Sequence, residues 1–225
     1  VVQFAGKDQV RQQAAMWQAM LMSAKIPGSK QIFIHGFMTV DGQKISKSLG
    51  NTIDPIQVAH EYGTDTLRYY LLAKIHPTED SDFSWDKFKQ SYNSDLANGL
   101  GNLVARVAKL CETTEYEHTR EQITNESVLS KHTEFKTMLE TYKFNEAIGF
   151  IWQKISAVDK YINDEKPWTL VKSDVEKAKD VLAHCVSEIQ EIALLLQPFL
   201  PETATKIQEQ FKGPKVVSAQ SLFPR

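Results

Sequence analysis

Apolar side chains recur every three or four residues at Phe88, Tyr92, Leu96, Leu100, Leu103 and Val107, a spacing that places all six on one face of a long helix in spite of Gly99 and Gly101. A helix with one apolar stripe must bury it against something, and similar periodicity in residues 127–140, 144–163, 173–196 and 201–211 supplies the cover. Five such helices make an antiparallel bundle the simplest architecture for residues 86–225. The end of the chain, residues 215–225, has a short extended stretch around Val216 and Val217.

The first 85 residues read differently. Residues 1–5 are a short apolar run, Gly6-Lys7-Asp8 makes a tight turn, and Val10, Ala14, Trp17 and Leu21 follow at helical spacing in a region closed by Gly28. A second β-branched and aromatic run covers residues 31–37. Strand, helix, strand is half of a nucleotide-binding α/β unit. Asp41-Gly42 is a hairpin-type dipeptide, and residues 43–51 form a polar loop. From Asp54 onward strand patterns disappear. Asp54-Pro55 caps and opens a short helix that ends at Gly63, and Thr64 caps a second one that carries Leu67, Tyr70 and Leu71 toward a core. Residues 77–82 form an acidic linker, after which Ser84 restarts a helix. The expected fold is mainly α: a partial nucleotide-binding α/β unit within residues 1–85, then an antiparallel α-helix bundle over 86–225. Opening on a strand, with no Met, basic leader or apolar leader, the chain is read as a fragment.

Composition narrows the chemistry. Lys+Arg 26 against Asp+Glu 28 leaves a net charge of −2, so any contact with RNA has to be local. Hydrophobic residues at 42% and charged residues at 24% exclude a disordered or collagen-like chain. No run approaches the about 18 apolar residues of a membrane span, since residues 192–200 are broken by Gln197 and Pro198; no membrane partner is expected. Cys111 and Cys185 stand alone without Cys-x-x-Cys pairing. They read as small packed hydrophobes in a reduced, cytoplasmic setting, with no zinc site and no other metal-ligand set.

The segment from His35 to Asn51 carries the most chemistry. Lys44 and Lys47 lie three apart among serines and glycines, directly after a nucleotide-fold strand, and can close their ammonium groups over a polyphosphate as point charges. A bare Lys-x-Ser-Lys-Ser match would more readily be a solvated basic loop. The upstream His35-Gly36, the Asp41-Gly42 turn and the downstream Leu49-Gly50-Asn51 favour the phosphate reading.

Lys44-Ile45-Ser46-Lys47-Ser48 resembles the signature loop of class I aminoacyl-tRNA synthetases, with Ile45 replacing the usual Met, one apolar anchor for another. Gly6-Lys7-Asp8 with Trp17 nine residues beyond the Asp, the run from Asn102 to Arg106, Lys166-Pro167-Trp168 and the closing Leu222-Phe223-Pro224 are similar to the methionyl branch. The likeness runs over nearly the whole chain. The signature loop alone would fit isoleucyl, valyl and leucyl relatives equally, but the short bundle and the Pro-Trp pair argue against them. A non-catalytic tRNA-binding module is the alternative of another class, and it leaves Lys44, Ser46 and Lys47 without a use.

The resemblance implies ATP-dependent activation of methionine, in which its carboxylate attacks the α-phosphate and expels pyrophosphate, followed by transfer to tRNA(Met). Lys47, and Lys44 more weakly, are implied as the catalytic cations at the pyrophosphate, with Mg2+ accompanying ATP. Gly6, Asp8, His35, Lys44, Ser46 and Lys47 are implied as ATP-binding, Asp8 near the ribose and His35 on the adenine side. On sequence alone Asp8 is nearly as well a helix N-cap, and His35 a structural residue. Trp17 matches a wall of the methionine pocket and Gln13 lies beside it, but Gln12 and Gln13 stand where bulky apolar and His residues are usual. Asn102 and Arg106, four apart on one helix face, and Trp168, held at a corner where Pro167 ends the preceding helix, match anticodon-binding positions. An amide can pair with a base edge and a guanidinium can stack. Without the resemblance Trp168 would be read as a core anchor, as Trp85 and Trp152 are. The family's His-x-Gly-His element is absent, so the chain alone is expected to be inactive and to need the N-terminal catalytic half, in cis or as a partner chain.

Overall fold

The computed structural model describes residues 1–117 and 123–224, so Arg225, the last residue of the expected tail, lies outside it. Strand β1 (Val2–Gly6) pairs in parallel with β2 (Gln31–His35). The crossover is a 3-10 turn (Lys7–Gln9), a π-helical turn (Gln12–Met16) and helix α1 (Trp17–Ser23). This is the expected strand-helix-strand unit, yet no residue of β1, α1 or β2 is fully buried. Phe4, Met16, Trp17 and Met20 are 59%, 54%, 43% and 58% exposed.

Beside it lies a three-stranded sheet in the order β4-β3-β5. β3 (Met38–Val40) and β4 (Gln43–Lys44) form the hairpin anticipated at Asp41-Gly42, where both turn residues take the positive φ (49° and 73°) that a two-residue turn matching strand twist demands. β5 (Ser81–Phe83) pairs in parallel with β3, which corrects the expectation that strands end at Asp54 and that residues 77–82 are only a linker. Three residues with a single aromatic carry no periodicity; β5 exists because β3 offers it an edge.

Asp54 caps α2 (Pro55–Tyr62) by accepting from Ile56 N, and Gly63 ends that helix. Gly63 is also the N-cap of α3 (Thr64–Ala73), so Thr64 is its first helical residue and not its cap. Tyr69 and Tyr70 face inward, Leu67 is partly buried, and Leu71, expected in the core, is exposed. Val40, Val58, Tyr70, Ile75, Phe83 and Phe88 make a small core here, against which Trp85 packs.

The long helix runs from α4 (Trp85–Ser91) through a π-helical stretch (Tyr92–Gly101) into α5 (Asn102–Thr113), with all six predicted apolar positions buried. Three successive steps of four residues drift around an α-helix of about 3.6 residues per turn; the wider π turn offsets that drift. The stretch expected as one helix over 127–140 is two, α6 (Asn125–Lys131) and α7 (Thr133–Glu140). His132 leaves helical geometry between them and sets its Nε2 2.6 Å from Glu191 Oε1. α8 (Phe144–Glu165) ends at Lys166, which takes a left-handed conformation, so Pro167 does not end that helix but opens a short one, α9 (Pro167–Ser173). α10 (Val175–Leu196) and α11 (Pro201–Gln210) complete the bundle. Lys215 bridges to Glu117, Val216 is buried and Phe223 packs edge-on against Tyr92.

The bundle core is continuous, and Cys111 and Cys185 are buried in it as free thiols, their pKa pushed by burial up to about 12. Trp152 is partly buried against Tyr69, ring centroids 4.6 Å apart. Glu191 accepts from Lys131, Lys154 and His132 at 2.6–2.7 Å, a buried carboxylate joining α6, α8 and α10. α3 fastens to the corner between α10 and α11: Arg68 donates to the carbonyls of Pro198 and Phe199, and Asp65 accepts from Thr203 N. Tyr142, between α7 and α8, sets its ring against Phe4 and Phe33. Among the described residues no helix is long and apolar enough to cross a membrane.

Candidate functional site

Parallel pairing aligns Gly6 with His35, so the carboxyl ends of β1 and β2 meet where a doubly wound sheet takes its ligand. Asp8 sits inside the turn that follows Gly6, exposed. The N-cap of that turn is Gly6 with no side-chain bond, so Asp8 is not a helix cap. Nδ1 of His35 lies 2.7 Å from the Gly36 carbonyl and, since a carbonyl can only accept, is the donor of that bond. Lys7 extends to Asp80 at 2.6 Å. Asp80, read from sequence as part of a linker, therefore belongs to this edge.

The two-residue turn at Asp41-Gly42 lets β4 leave the sheet at Lys44. Asn51 then braces the loop from its far end: its Oδ1 accepts from Ser46 N at 2.8 Å and its Nδ2 donates to Lys44 O at 3.1 Å. The hydroxyls of Ser46 and Ser48 are 2.7 Å apart. Lys47 opens a 3-10 turn (Lys47–Leu49) that Gly50 ends with φ 67°. Neither Lys44 nor Lys47 has an ion-pair partner among the described residues, and both are exposed. The loop thus offers two uncompensated ammonium groups on a braced backbone. No hydrogen bond or ion pair among the described residues joins it to Gly6, Asp8 or His35. Asn51 was missed as a brace; an Asn closing a Gly/Ser/Lys loop is the local signal for one.

Trp17 stands at the head of α1, 43% exposed, and its backbone N–H reaches back to Gln12 O across the π turn. That bond spans five residues instead of four and changes the facing of the helix after it. Gln12 is exposed, whereas Gln13 is partly buried and its carbonyl accepts from Gln18 Nε2.

At the far end of the chain's long helix, Arg106 of α5 lies over the Trp168 ring, Cζ to centroid 5.5 Å. Its NH1 donates to Asp159 Oδ1 at 3.1 Å and its NH2 to Asn163 Oδ1 at 2.8 Å. Asn163 in turn donates to Asp159 Oδ2, closing the network along one face of α8. Trp168 is 40% exposed, not a core anchor, and Asn102 is exposed one turn before Arg106. The structure brings Arg106 and Trp168 together from helices 62 positions apart in sequence. Asp159 and Asn163 were missed; an acidic and an amide residue four apart on a helix carry no sign of the guanidinium they hold until α5 is laid beside α8.

Comparison with known proteins divides the chain within α5. Residues 1–108 match the family of class I tRNA synthetases (M), and residues 110–220 match the anticodon binding domain of methionyl tRNA ligase. The methionine–tRNA ligase of Clostridium acetobutylicum is 37% identical over 98% of this chain and 38% of its own length. That of Bacillus subtilis is 33% identical over 100% of this chain and 38% of its own length. The crystal structure of Mycobacterium tuberculosis methionyl-tRNA synthetase bound by methionyl-adenylate is similar with a TM-score of 0.86 at 28% identity, covering 99% of this chain and 50% of that one. The chain thus spans 38% of the length of these two curated relatives. Loop, bundle and both family matches converge: the chain belongs to the class I methionyl-tRNA synthetase family, with that family's anticodon-binding domain in its second half.

Proposed function

We propose that this chain supplies the phosphate loop and the anticodon-reading bundle of a methionine–tRNA ligase, which activates methionine with ATP and passes it to tRNA(Met). The observation that carries this reading is the exposed Trp168 ring with the partly buried Arg106 guanidinium over it and Asn102 one turn away, on the same chain as the unpaired Lys44 and Lys47. An indole face takes an unpaired base, the guanidinium held over the ring adds a fixed positive charge beside the site, and the Asn102 amide pairs with a base edge. Lys47 and Lys44 neutralise the pyrophosphate as it leaves, with Mg2+ on the ATP phosphates and Ser46 nearby. Asp8 accepts from the ribose, Nε2 of His35 faces the adenine side, and Gly6 lets the nucleotide approach. Trp17 and Gln13 border the methionine. Residues 1–85 act in catalysis and 86–225 in tRNA recognition, in the cytoplasm.

The open apolar surface of Phe4, Met16, Trp17 and Met20 calls for cover, and an N-terminal catalytic half carrying His-x-Gly-His, in cis or as a partner chain, provides it. The test is methionine-dependent ATP–pyrophosphate exchange. The chain by itself is expected to show none, and the chain joined to such a half is expected to show it. Lys47→Ala in the joined enzyme then lowers the rate on the order of a hundredfold, the usual loss for one transition-state charge donor. Exchange by the isolated chain, or an undiminished rate in Lys47→Ala, overturns the assignment.

A further inference from the structure

We propose that Asp80 and Asp82 are positioning residues for the Lys44–Lys47 loop, Asp80 pinning its root to the carboxyl ends of β1 and β2 and Asp82 holding the hairpin that aims it. This rests on the reading that Lys44 and Lys47 take the pyrophosphate.

The two acids flank Ser81 at the start of β5, and alternate residues of a strand share a face. Asp80 Oδ1 accepts from Phe37 N at 2.8 Å and from Lys7 Nζ at 2.6 Å. One oxygen therefore ties the backbone just after β2 to the turn just after β1. Asp82 Oδ1 accepts from Thr39 Oγ1 at 2.6 Å and from Gly42 N at 2.7 Å, joining the strand before the turn to the turn itself. β4 is two residues long and borders only β3, so its own ladder gives the hairpin little orientation. β3 rests on β5 over Met38–Val40, and Asp41 N donates to Phe83 O at the top of that pairing. The direction in which Lys44 leaves the sheet is thus set from β5.

Close packing says the same. A Cβ added to Gly36 would stand 2.0 Å from Glu79 O and 2.8 Å from Asp80 N, so the chain entering the loop and the chain entering β5 touch backbone to backbone. Electrostatics supplies a second argument. A carboxylate beside a polyphosphate site repels its ligand, and two are retained here with their charge taken up, Asp80's by Lys7 and the Phe37 N–H, Asp82's by Thr39 and the Gly42 N–H. Those same hydrogen bonds hold both carboxyls below their ordinary pKa, so both are ionised acceptors at neutral pH.

The experiment combines amide hydrogen exchange on this chain with ATP–pyrophosphate exchange by the chain joined to a catalytic N-terminal half. Asp82→Ala and Asp80→Ala are expected to speed exchange at the Gly42 and Phe37 amides respectively by at least tenfold. Both should lower kcat at least tenfold while KM for methionine stays within twofold. Asp82→Asn keeps an oxygen acceptor and should recover most of the loss; Thr39→Val removes a donor from the same bond and should reproduce part of it without touching an acid. Unchanged amide protection and kcat in the alanine variants overturn the inference, as does an Asp82→Asn enzyme as poor as Asp82→Ala, which would make charge and not position the cause. Lys47→Ala in the same assay separates the two readings. A slow Lys47→Ala enzyme beside fast Asp80 and Asp82 variants refutes the positioning role alone, whereas a fast Lys47→Ala enzyme refutes the loop reading and this inference with it.

Discussion

The unit of β1, α1 and β2 and the helix bundle are both rich in apolar residues, and only the bundle closes on itself. β1, α1 and β2 bury no side chain completely, while α10 alone buries Val181, Leu182, Val186, Ile189, Leu195 and Leu196. The difference lies in what each element needs. An apolar helix stripe is covered by another stripe, and the chain contains several. Two parallel strands need cover on both faces, which one seven-residue helix cannot give. The bundle is therefore where stability resides, and the unit of β1, α1 and β2 leaves its apolar surface open.

Four measurements test that contrast, the largest expected effect first. Leu182→Ala removes a fully buried side chain and should lower stability by about 2–5 kcal/mol in a urea melt. A cost below about 1 kcal/mol would mean that the core tolerates loss as a surface does.

Glu191 follows. Burial pushes its pKa up, but the donors Lys131, Lys154 and His132 outweigh burial and hold it at about 2. Glu191→Ala leaves Lys131, Lys154 and His132 facing a gap and should cost about 3 kcal/mol. Because the folded pKa is depressed, the stabilisation is fully present above the ordinary value of 4.5 and is lost as pH falls from there through about 2. Glu191→Gln should flatten that acid limb. Urea midpoints at neutral pH and near about pH 3 decide it, and an unchanged acid limb in Glu191→Gln would remove Glu191 as its source.

Trp168→Ala should weaken binding of a hairpin bearing the methionine anticodon by about 1–3 kcal/mol while the melt stays in place. A lowered midpoint with discrimination against an altered anticodon retained would make Trp168 a structural residue. The smallest effect is expected in the unit of β1, α1 and β2: Met20→Ser should shift the melt by no more than about 0.5 kcal/mol, because Met20 is 58% exposed. A larger shift would mean that this unit contributes to the fold of the chain after all.

Much of this was legible before any coordinates. The stripe from Phe88 to Val107, the Asp54-Pro55 start and Gly63 stop of α2, and the Asp41-Gly42 hairpin all arise from forces acting within a few residues, and each is found where its residue types require. The lysines of the loop were visible for the same reason. Their braces were not equally visible, since Asn51 acts from five and seven positions away while Asp80 and Asp82 act from about forty.

Sequence by itself determined the elements whose cause is local: helix faces, caps, turns and the chemistry of individual side chains. Tertiary structure alone decided that Ser81–Phe83 is a strand, that His132 breaks a helix to reach Glu191, that Pro167 begins a helix instead of ending one, and that Arg106 lies over the Trp168 ring, hydrogen-bonded to Asp159 and Asn163. Each of these sets a local preference against a partner far along the chain. A hydrogen bond or ion pair across dozens of residues exists only once the intervening backbone has been ordered by the core, so no window of sequence contains it.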